Sequence, residues 1–453
     1  MKERLAGMLP GVRADYADIR HETLEQTRVV WKGGDLREVS ASGTDGYVVR
    51  ALCGSGFASV AATREQDVPM ALERACEGAR MMDGAGRSVS LAQVPPAVDS
   101  VLPDLDRDPA EVSVREKIDI TGHYNSLMLG CPDIRTTTTA YHEIRRDKSF
   151  VSTEGALLDE RLVTVAVAAE AVARRGSLVQ TTRKAVGGSD GWGRLAGRDQ
   201  VFLDLARTAS DLLDADPVRG GTYDVVLNPG MAGLFTHEAF GHFSEADIIE
   251  DNPTLRERML IGQELGSPVV NIVADSSLPH QVGFYRYDDE GVPTRRVQLM
   301  KEGVLTGRLH SRATAAAFGE PPTGHSIAQD HRYEPIVRMG TIFIEPGTSS
   351  PEDLISALGD GLYIVDPYGG QTSGENFTFG AQCGWRVEGG RLAGMVRDIN
   401  IMGNLFSTLA SFEATASDFA LTERGGCGKG QTNFRSAYGG PHVLIRRMVI
   451  GGV

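Results

Sequence analysis

The sequence predicts an α+β protein, with an N-terminal α+β domain followed by a C-terminal antiparallel β-rich domain into which one helix is inserted. Three observations carry this. Period-two runs rich in β-branched residues, separated by glycine turns, fill most of the chain. Only a few long stretches have helical periodicity. After residue 220 the strand candidates lengthen around the helix start at Asn228–Pro229.

In order, YADIRHE, TRVVWK, LREVSAS, YVVRALC and FASVAAT over 16–62 read as antiparallel strands joined by GGD, GTDG and GSG turns. Residues 67–82 read as a helix, with Asp67 as its cap and Met70, Leu72, Ala75, Cys76 and Ala79 on one face. The segment 91–111 is rich in proline and aspartate and reads as a linker or extended crossing. A helix follows over 112–129, then strands to about 186, then an amphipathic helix over 198–214 with Val201, Leu205, Ala209 and Leu212 on one face. The domain division is placed at 1–220 and 221–453. In the second part, VVNIVAD, the hairpin around Lys301-Glu302-Gly303, VRMGTIFIEPG, GLYIVD, the run from NFTF to INIMG and HVLIRRMVIGG are strand candidates. A short helix at 350–359 has Ser350 as N-cap, Pro351 first and Asp353 third.

The chain has 453 residues, 41% hydrophobic and 23% charged, enough for two or three domains with substantial cores. A net charge of −14 argues against a nucleic-acid or anionic-membrane binder. Cys53, Cys76, Cys131, Cys383 and Cys427 form no disulfide framework and no C-x-x-C, which fits a reducing compartment. The N-terminal segment has no apolar run suited to a signal peptide, and no segment is long and apolar enough to span a bilayer. A cytoplasmic location is therefore expected.

The densest chemistry lies in 237-HEAFGHFSEAD-247, with two histidines and three carboxylates in eleven residues. The zinc-hydrolase pattern H-E-x-x-H places its histidines on one helix face. His237 and His242 are five apart, about 500° along an α-helix, and so point roughly 140° apart. One π-type turn would return them to one face. The helix is therefore expected to be widened or broken between them, with Gly241 lowering the cost. On spacing alone, metal binding and a pair of surface histidines are equally supported. Glu238 could take the proton of an attacking water, or be a solvated helix carboxylate. Glu245 and Asp247 could be ligands, partners of an imidazole or exposed acids; Glu245 reads best as a partner that fixes a histidine tautomer.

A catalytic zinc needs three protein ligands and an open position. Candidates for the third are Cys383, Cys427, His280, His310, His325, His331 and Glu245. Cys427 stands out because 425-GGCGKGQ-431 lets the backbone come close and leaves a soft thiolate unshielded. A lone cysteine is otherwise a small buried hydrophobe. Other motifs fail. Gly187–Gly191 satisfies G-x-S-x-G, but Gly-Trp-Gly follows Ser189 and Asp190 rather than a helix. The run 428-GKG-430 lacks the Ser/Thr of a phosphate loop, and Gly54-Ser55-Gly56 reads as a hairpin turn.

With these residues in hand, the sequence resembles the TldD/PmbA family of metalloproteases, also called modulators of DNA gyrase, in its TldD-type catalytic branch. HEAFGH matches the family's H-E-x-x-x-H. FSEAD, 288-DDEGVPT-294, 302-EGVLTGRL-309, 323-TGH-325, 336-IVRMGTIFIEPG-347, 361-GLYIVDPYGGQTSGENFTF-379 and 425-GGCGKGQ-431 also match, so the likeness covers nearly the whole chain. The segment 404–424 is the weakest part of the likeness. The resemblance implies zinc, one ion per active subunit, on His237, His242 and Cys427, with Glu238 as the catalytic base. It implies a dimer, either a homodimer or a heterodimer with a TldE/PmbA-type chain. It also implies a channel that admits unfolded or extended peptide as an added strand. Roles associated with the family are trimming of a modified peptide antibiotic and degradation of an antitoxin.

The expected function is a zinc-dependent metalloprotease whose C-terminal domain holds the metal-binding helix. One alternative is a zinc amidase or hydrolase acting on modified small peptides. Another is a regulatory protein that binds gyrase or an antitoxin around a structural metal.

Overall fold

The computed structural model describes residues 1–433 and 435–452. Its α+β class agrees with the sequence reading. The long alternating runs at the N-terminus form one seven-stranded sheet, whose strands Tyr16–Lys32, Asp35–Cys53, Ile134–Ser152 and Leu157–Arg175 are 17 to 19 residues long. They pair antiparallel in the order Gly56–Ala62, Asp35–Cys53, Tyr16–Lys32, Ile134–Ser152, Leu157–Arg175, and Leu178–Gly188 joins the last. Helices cover the ends of this sheet. Val68–Met82 packs over one end through Leu72, Ala75 and Ala79. Val114–Leu129 and Asp199–Asp211 pack over the other through Tyr124, Met128, Phe202 and Leu205. The capping box of Ser113 and Glu116 fixes the start of the second helix.

The proline- and aspartate-rich segment, expected as a linker or extended crossing, runs extended and contributes one strand. Val98–Val101 adds to the sheet as a parallel strand beside Leu157–Arg175. Its side chains are exposed or half-buried, so the apolar signal of a strand is missing while the backbone pairing remains.

From Asp216 onward the strands belong to other sheets. Gly361–Ser373, Gly221–Leu227, Val443–Gly451, Asn400–Asn404 and Asn376–Glu388 pair in turn, and the last returns to the first, closing a five-strand circuit. Arg391–Arg397, Asp216–Pro217 and Phe412–Thr415 extend this sheet. A second, six-stranded sheet runs Val304–Leu305, Val297–Lys301, Ile272–Ala274, Thr341–Ile344, Ala437–Gly440, Ala420–Leu421. Its last strand is a free edge, formed by the weakly matching segment 404–424. Between the closed circuit and this sheet lies the helix that begins at Pro229. Met231, Leu234, Phe235, Ala239 and Phe240 are buried against Val225, Leu227, Ile342, Phe377 and Phe379. A helix apolar on so many sides belongs in a core.

A buried ion network ties segment 288–290 to the long-stranded sheet. Asp289 accepts from Arg146 and from Lys148 (3.2 Å), and Arg20 lies 3.5 Å away. Arg50 joins Asp18 (2.6 Å) to Glu290 (3.0 Å). Buried charges are tolerated only when paired in this way. Among the described residues no helix is long and apolar enough to cross a membrane.

Candidate metal centre

The helix carrying the two histidines starts where the sequence placed it. Asn228 caps it by accepting a hydrogen bond from Met231 N (3.0 Å), and Pro229 takes the first helical position. After Leu234 the helix widens into a π turn over Phe235–Gly241, then tightens at His242–Ser244. The widening turns His237 and His242 toward each other, with ring centroids 5.4 Å apart at 79°. The helix sits directly on the strand Ala437–Gly440, since a Cβ on Gly233 would lie 2.5 Å from Gly439 Cα. A Cβ on Gly241 would meet Met339 Sδ at 2.2 Å, so this glycine also makes room for a neighbour.

Cys427 comes from the far end of the chain, at the start of a short hairpin, Cys427–Gly428 with Thr432–Asn433. Its Sγ is 3.3 Å from His242 Nε2. The ligand atoms of His237, His242 and Cys427 all lie within 4.8 Å of one another. A tetrahedral zinc would set two nitrogens and a sulfur roughly 3.3–3.6 Å apart, so the cluster is close to what such an ion needs. His237 is 1% exposed, and neither ring nitrogen has a hydrogen-bond partner among the described residues. A buried imidazole left without a partner is costly, and an ion would satisfy it. Two imidazoles and a thiol are a borderline-soft donor set that suits zinc. The residues present fit the ion.

The electrostatics point the same way. Burial, followed by the neighbouring His242, pushes the His237 pKa down to about 3, so its ring is neutral and a lone pair is available. Burial also pulls on His242, but its hydrogen bonds with Cys427 and Glu245 outweigh that and push it up to about 10. The ring is thus gripped from both sides, by the Cys427 thiol at Nε2 and the Glu245 carboxylate at Nδ1. Glu245 is fully buried, and its Oε2 is 3.0 Å from His242 Nδ1. A proton on Nδ1 leaves Nε2 free to face Cys427 and an ion. Burial raises the Glu245 pKa, but His242, Lys429 and Arg338 together hold it below the usual range. Asp247 is set further out, bonded to Lys429 Nζ (2.9 Å) and to Val337 N (3.2 Å). Glu238 is half-buried, with Oε2 4.0 Å from His242 Nε2, and burial raises its pKa.

The other candidate ligands lie elsewhere. Cys383 packs with Leu212 and Ala215, where burial pushes its thiol up to about 12. His310 bonds Thr314 and Glu320, His325 Nδ1 bonds Thr323 O, and His331 packs against Gly46. His280 is held by its backbone, whose carbonyl accepts from Ser189 N.

Three further residues shape the site. Arg338, 1% exposed, donates to Cys427 O (2.7 Å) and Gln431 O (3.0 Å) and so holds the cysteine hairpin. Lys429 bonds Glu245, Asp247 and Val337 O. Tyr438 places its ring 5.3 Å from that of His237. The signals for the first two were a charge inside the apolar run IVRMG and a lysine in a failed phosphate loop; Tyr438 had none.

Family models described as PmbA/TldA metallopeptidase C-terminal domain and PmbA/TldA metallopeptidase domain 1 match residues 220–452 and 17–80. A metalloprotease of Synechocystis is 37% identical over 97% of this chain and 95% of its own length. A zinc metalloprotease TldD homolog of Saccharolobus solfataricus is 28% identical, covering 97% of each chain. Among solved structures, a putative modulator of DNA gyrase from Thermotoga maritima superposes with a TM-score of 0.77 at 20% identity, over 96% of each chain. TldE from Thermococcus kodakarensis superposes with 0.75 at 18% identity, over 97% of each. At that identity these two structures show a shared fold.

Proposed function

The chain belongs to the PmbA/TldD metallopeptidase family, and from that premise we propose that it is a zinc-dependent protease cutting extended peptides, with His237, His242 and Cys427 as ligands and Glu238 as the base. The observation that carries this reading is the convergence of three ligand atoms within 4.8 Å beside an otherwise unpaired, buried His237. When bound there, zinc supplies Lewis acidity for the scissile carbonyl and makes a nearby water acidic. Glu238, its pKa raised by burial, accepts the proton of the attacking water and returns it to the leaving amine. Glu245 holds the proton on His242 Nδ1 and so fixes the ring. The free edge Ala420–Leu421 lines a cavity that Tyr438 shares, and an extended peptide can add there through its backbone. The change of sheet between Gly188 and Asp216 supports a domain boundary near 220. A second chain of the family, a copy or a TldE-type partner, would complete the dimer.

The test is metal analysis with chelation and add-back, read on an unfolded casein-like substrate. Glu238→Gln should keep the metal and lose cleavage by at least about 100-fold; a fully active variant would remove its role. Cys427→Ser should lose most of the zinc, and unchanged zinc would strike it from the ligands.

A further inference from the structure

Between the long-stranded sheet and the metal centre lies a cavity of about 640 Å³. One wall is the face of the sheet that carries the small side chains of Ala140, Ala168 and Ala185. The other is the start of the site helix, the free edge Ala420–Leu421 and Tyr438. Tyr438 stands between this cavity and the metal centre, lining the one and placing its ring 5.3 Å from that of His237 in the other.

The charges lining this cavity are nearly all neutralised within the protein. Arg183 pairs with Glu170 (2.7 Å), Lys184 with Asp366 (2.8 Å), and Glu423 with Arg198 (3.3 Å). His142 is kept neutral by burial and by Arg424 and Arg28, which push its pKa down to about 4. Arg424 is the exception. It is exposed, it lines the cavity, and among the described residues no carboxylate pairs with it. The cavity walls desolvate part of its guanidinium and lower its pKa, and another cation, Arg28, lowers it further. Along the chain it stands three residues after the free edge strand and three before Cys427. A guanidinium in such a place, in a protein of net charge −14, is matched by a planar anion that can accept two of its N–H groups at once.

We propose that Arg424 is a specificity residue that pairs with a carboxylate of the bound peptide, borne on an acidic side chain or on the chain terminus, and so favours acidic peptides in this cavity. The inference rests on the protease reading and names the substrate class for it. A peptide added along Ala420–Leu421 brings its backbone to the strand edge. The carboxylate then reaches the guanidinium beside that edge at one fixed step from the scissile bond.

The experiment uses the zinc-loaded full-length protein and fluorogenic ten-residue Gly/Ala/Ser peptides carrying one Glu, Gln or Lys stepped along the chain, each with a free or amidated C-terminus. At one step the wild type should cleave the Glu peptide with a kcat/KM about tenfold above its Gln counterpart, the scale of one charge-assisted hydrogen bond. A gain confined to free C-termini would identify the terminal carboxylate instead. In Arg424→Gln that ratio should fall to about one, and in Arg424→Glu the Lys peptide should become the favoured one. Elemental analysis checks that both variants retain their metal. Equal rates on Glu, Gln, acid and amide peptides by the wild type, or a preference that survives in Arg424→Gln, overturns the inference and leaves the protease reading standing. If the wild type cleaves none of the peptides, the protease reading fails only when the unfolded casein-like substrate also stays intact. Anisotropy of the same peptides, fluorescein-labelled, then decides: tighter binding of the Glu series that is lost in Arg424→Gln upholds Arg424, and equal binding overturns it.

Discussion

Lys429 Nζ stands 3.0 Å from Glu245 Oε2, and this pair links the two halves of the metal centre. Glu245 lies three residues after His242 and Lys429 two after Cys427, so one ion pair holds residues 185 positions apart in register. The carboxylate is buried, and its bond to His242 Nδ1 sets which ring nitrogen faces the thiol.

Glu245→Gln keeps the size of the side chain and removes its charge. It should weaken zinc binding on the order of 10- to 100-fold, as loss of a carboxylate partner to a ligating histidine does. Competition with a chromophoric chelator measures this directly. An affinity equal to that of the wild type would mean Glu245 only neutralises Lys429.

Much of this centre was legible before the fold was seen, and the reason is local. A five-residue spacing misplaces two histidines on an α-helix and aligns them on a π turn, so HEAFGH itself announced the turn over Phe235–Gly241. Asn228–Pro229 announced the helix start, and glycines on both sides marked Cys427. Arg338 and Lys429 escaped because a buried charge is explained only by its tertiary partners. Val98–Val101 escaped because an edge strand among prolines has no apolar period to detect. Arg146, Lys148 and Asp289 carry no local signal of burial, because only the fold brings them together.

Acid should destabilise the fold through its buried histidines. His325 is fully buried, and burial pushes its pKa down to about 4; His142 is lowered similarly. Both are neutral in the folded state below the pH at which the unfolded chain charges them. Between about pH 6.5 and 4 the unfolded state therefore binds more protons, and stability falls as pH falls, by at most about 1.4 kcal/mol per pH unit for each histidine. Unfolding of the zinc-loaded protein at pH 7, 6 and 5 should show this slope. His325→Asn should flatten it, and an unchanged slope in that variant would exclude His325 as a source.

Gly233→Ala tests the close seat of the site helix on the strand Ala437–Gly440. The added methyl would lie 2.5 Å from Gly439 Cα, a contact that forces backbone to move. Overpacking of this kind costs about 1–3 kcal/mol. Because the same helix carries His237 four residues on, the variant should show both a lower thermal midpoint and a weaker hold on zinc. A lower midpoint with wild-type zinc affinity would show that the π turn absorbs the shift.

Asp289→Asn addresses the network that joins segment 288–290 to the long-stranded sheet. Asp289 is 1% exposed, its carboxylate is shared by Arg146 and Lys148, and the cations around it hold its pKa far below the usual range against the opposing effect of burial. A carboxylate with a depressed pKa contributes stability above its unfolded value near 3.9 that is lost as pH falls through the folded one, so at neutral pH the full contribution is present. The amide leaves those cations buried with less opposing charge, and breaking a buried pair in this way costs roughly 3–5 kcal/mol. The expected outcome at pH 7 is a clear drop in thermal midpoint at a fixed scan rate, with faster proteolysis at the junction of segment 288–290 and the sheet. A midpoint within error of the wild type would mean that Glu22, Glu160 and the surrounding carbonyls already satisfy Arg146 and Lys148 without Asp289.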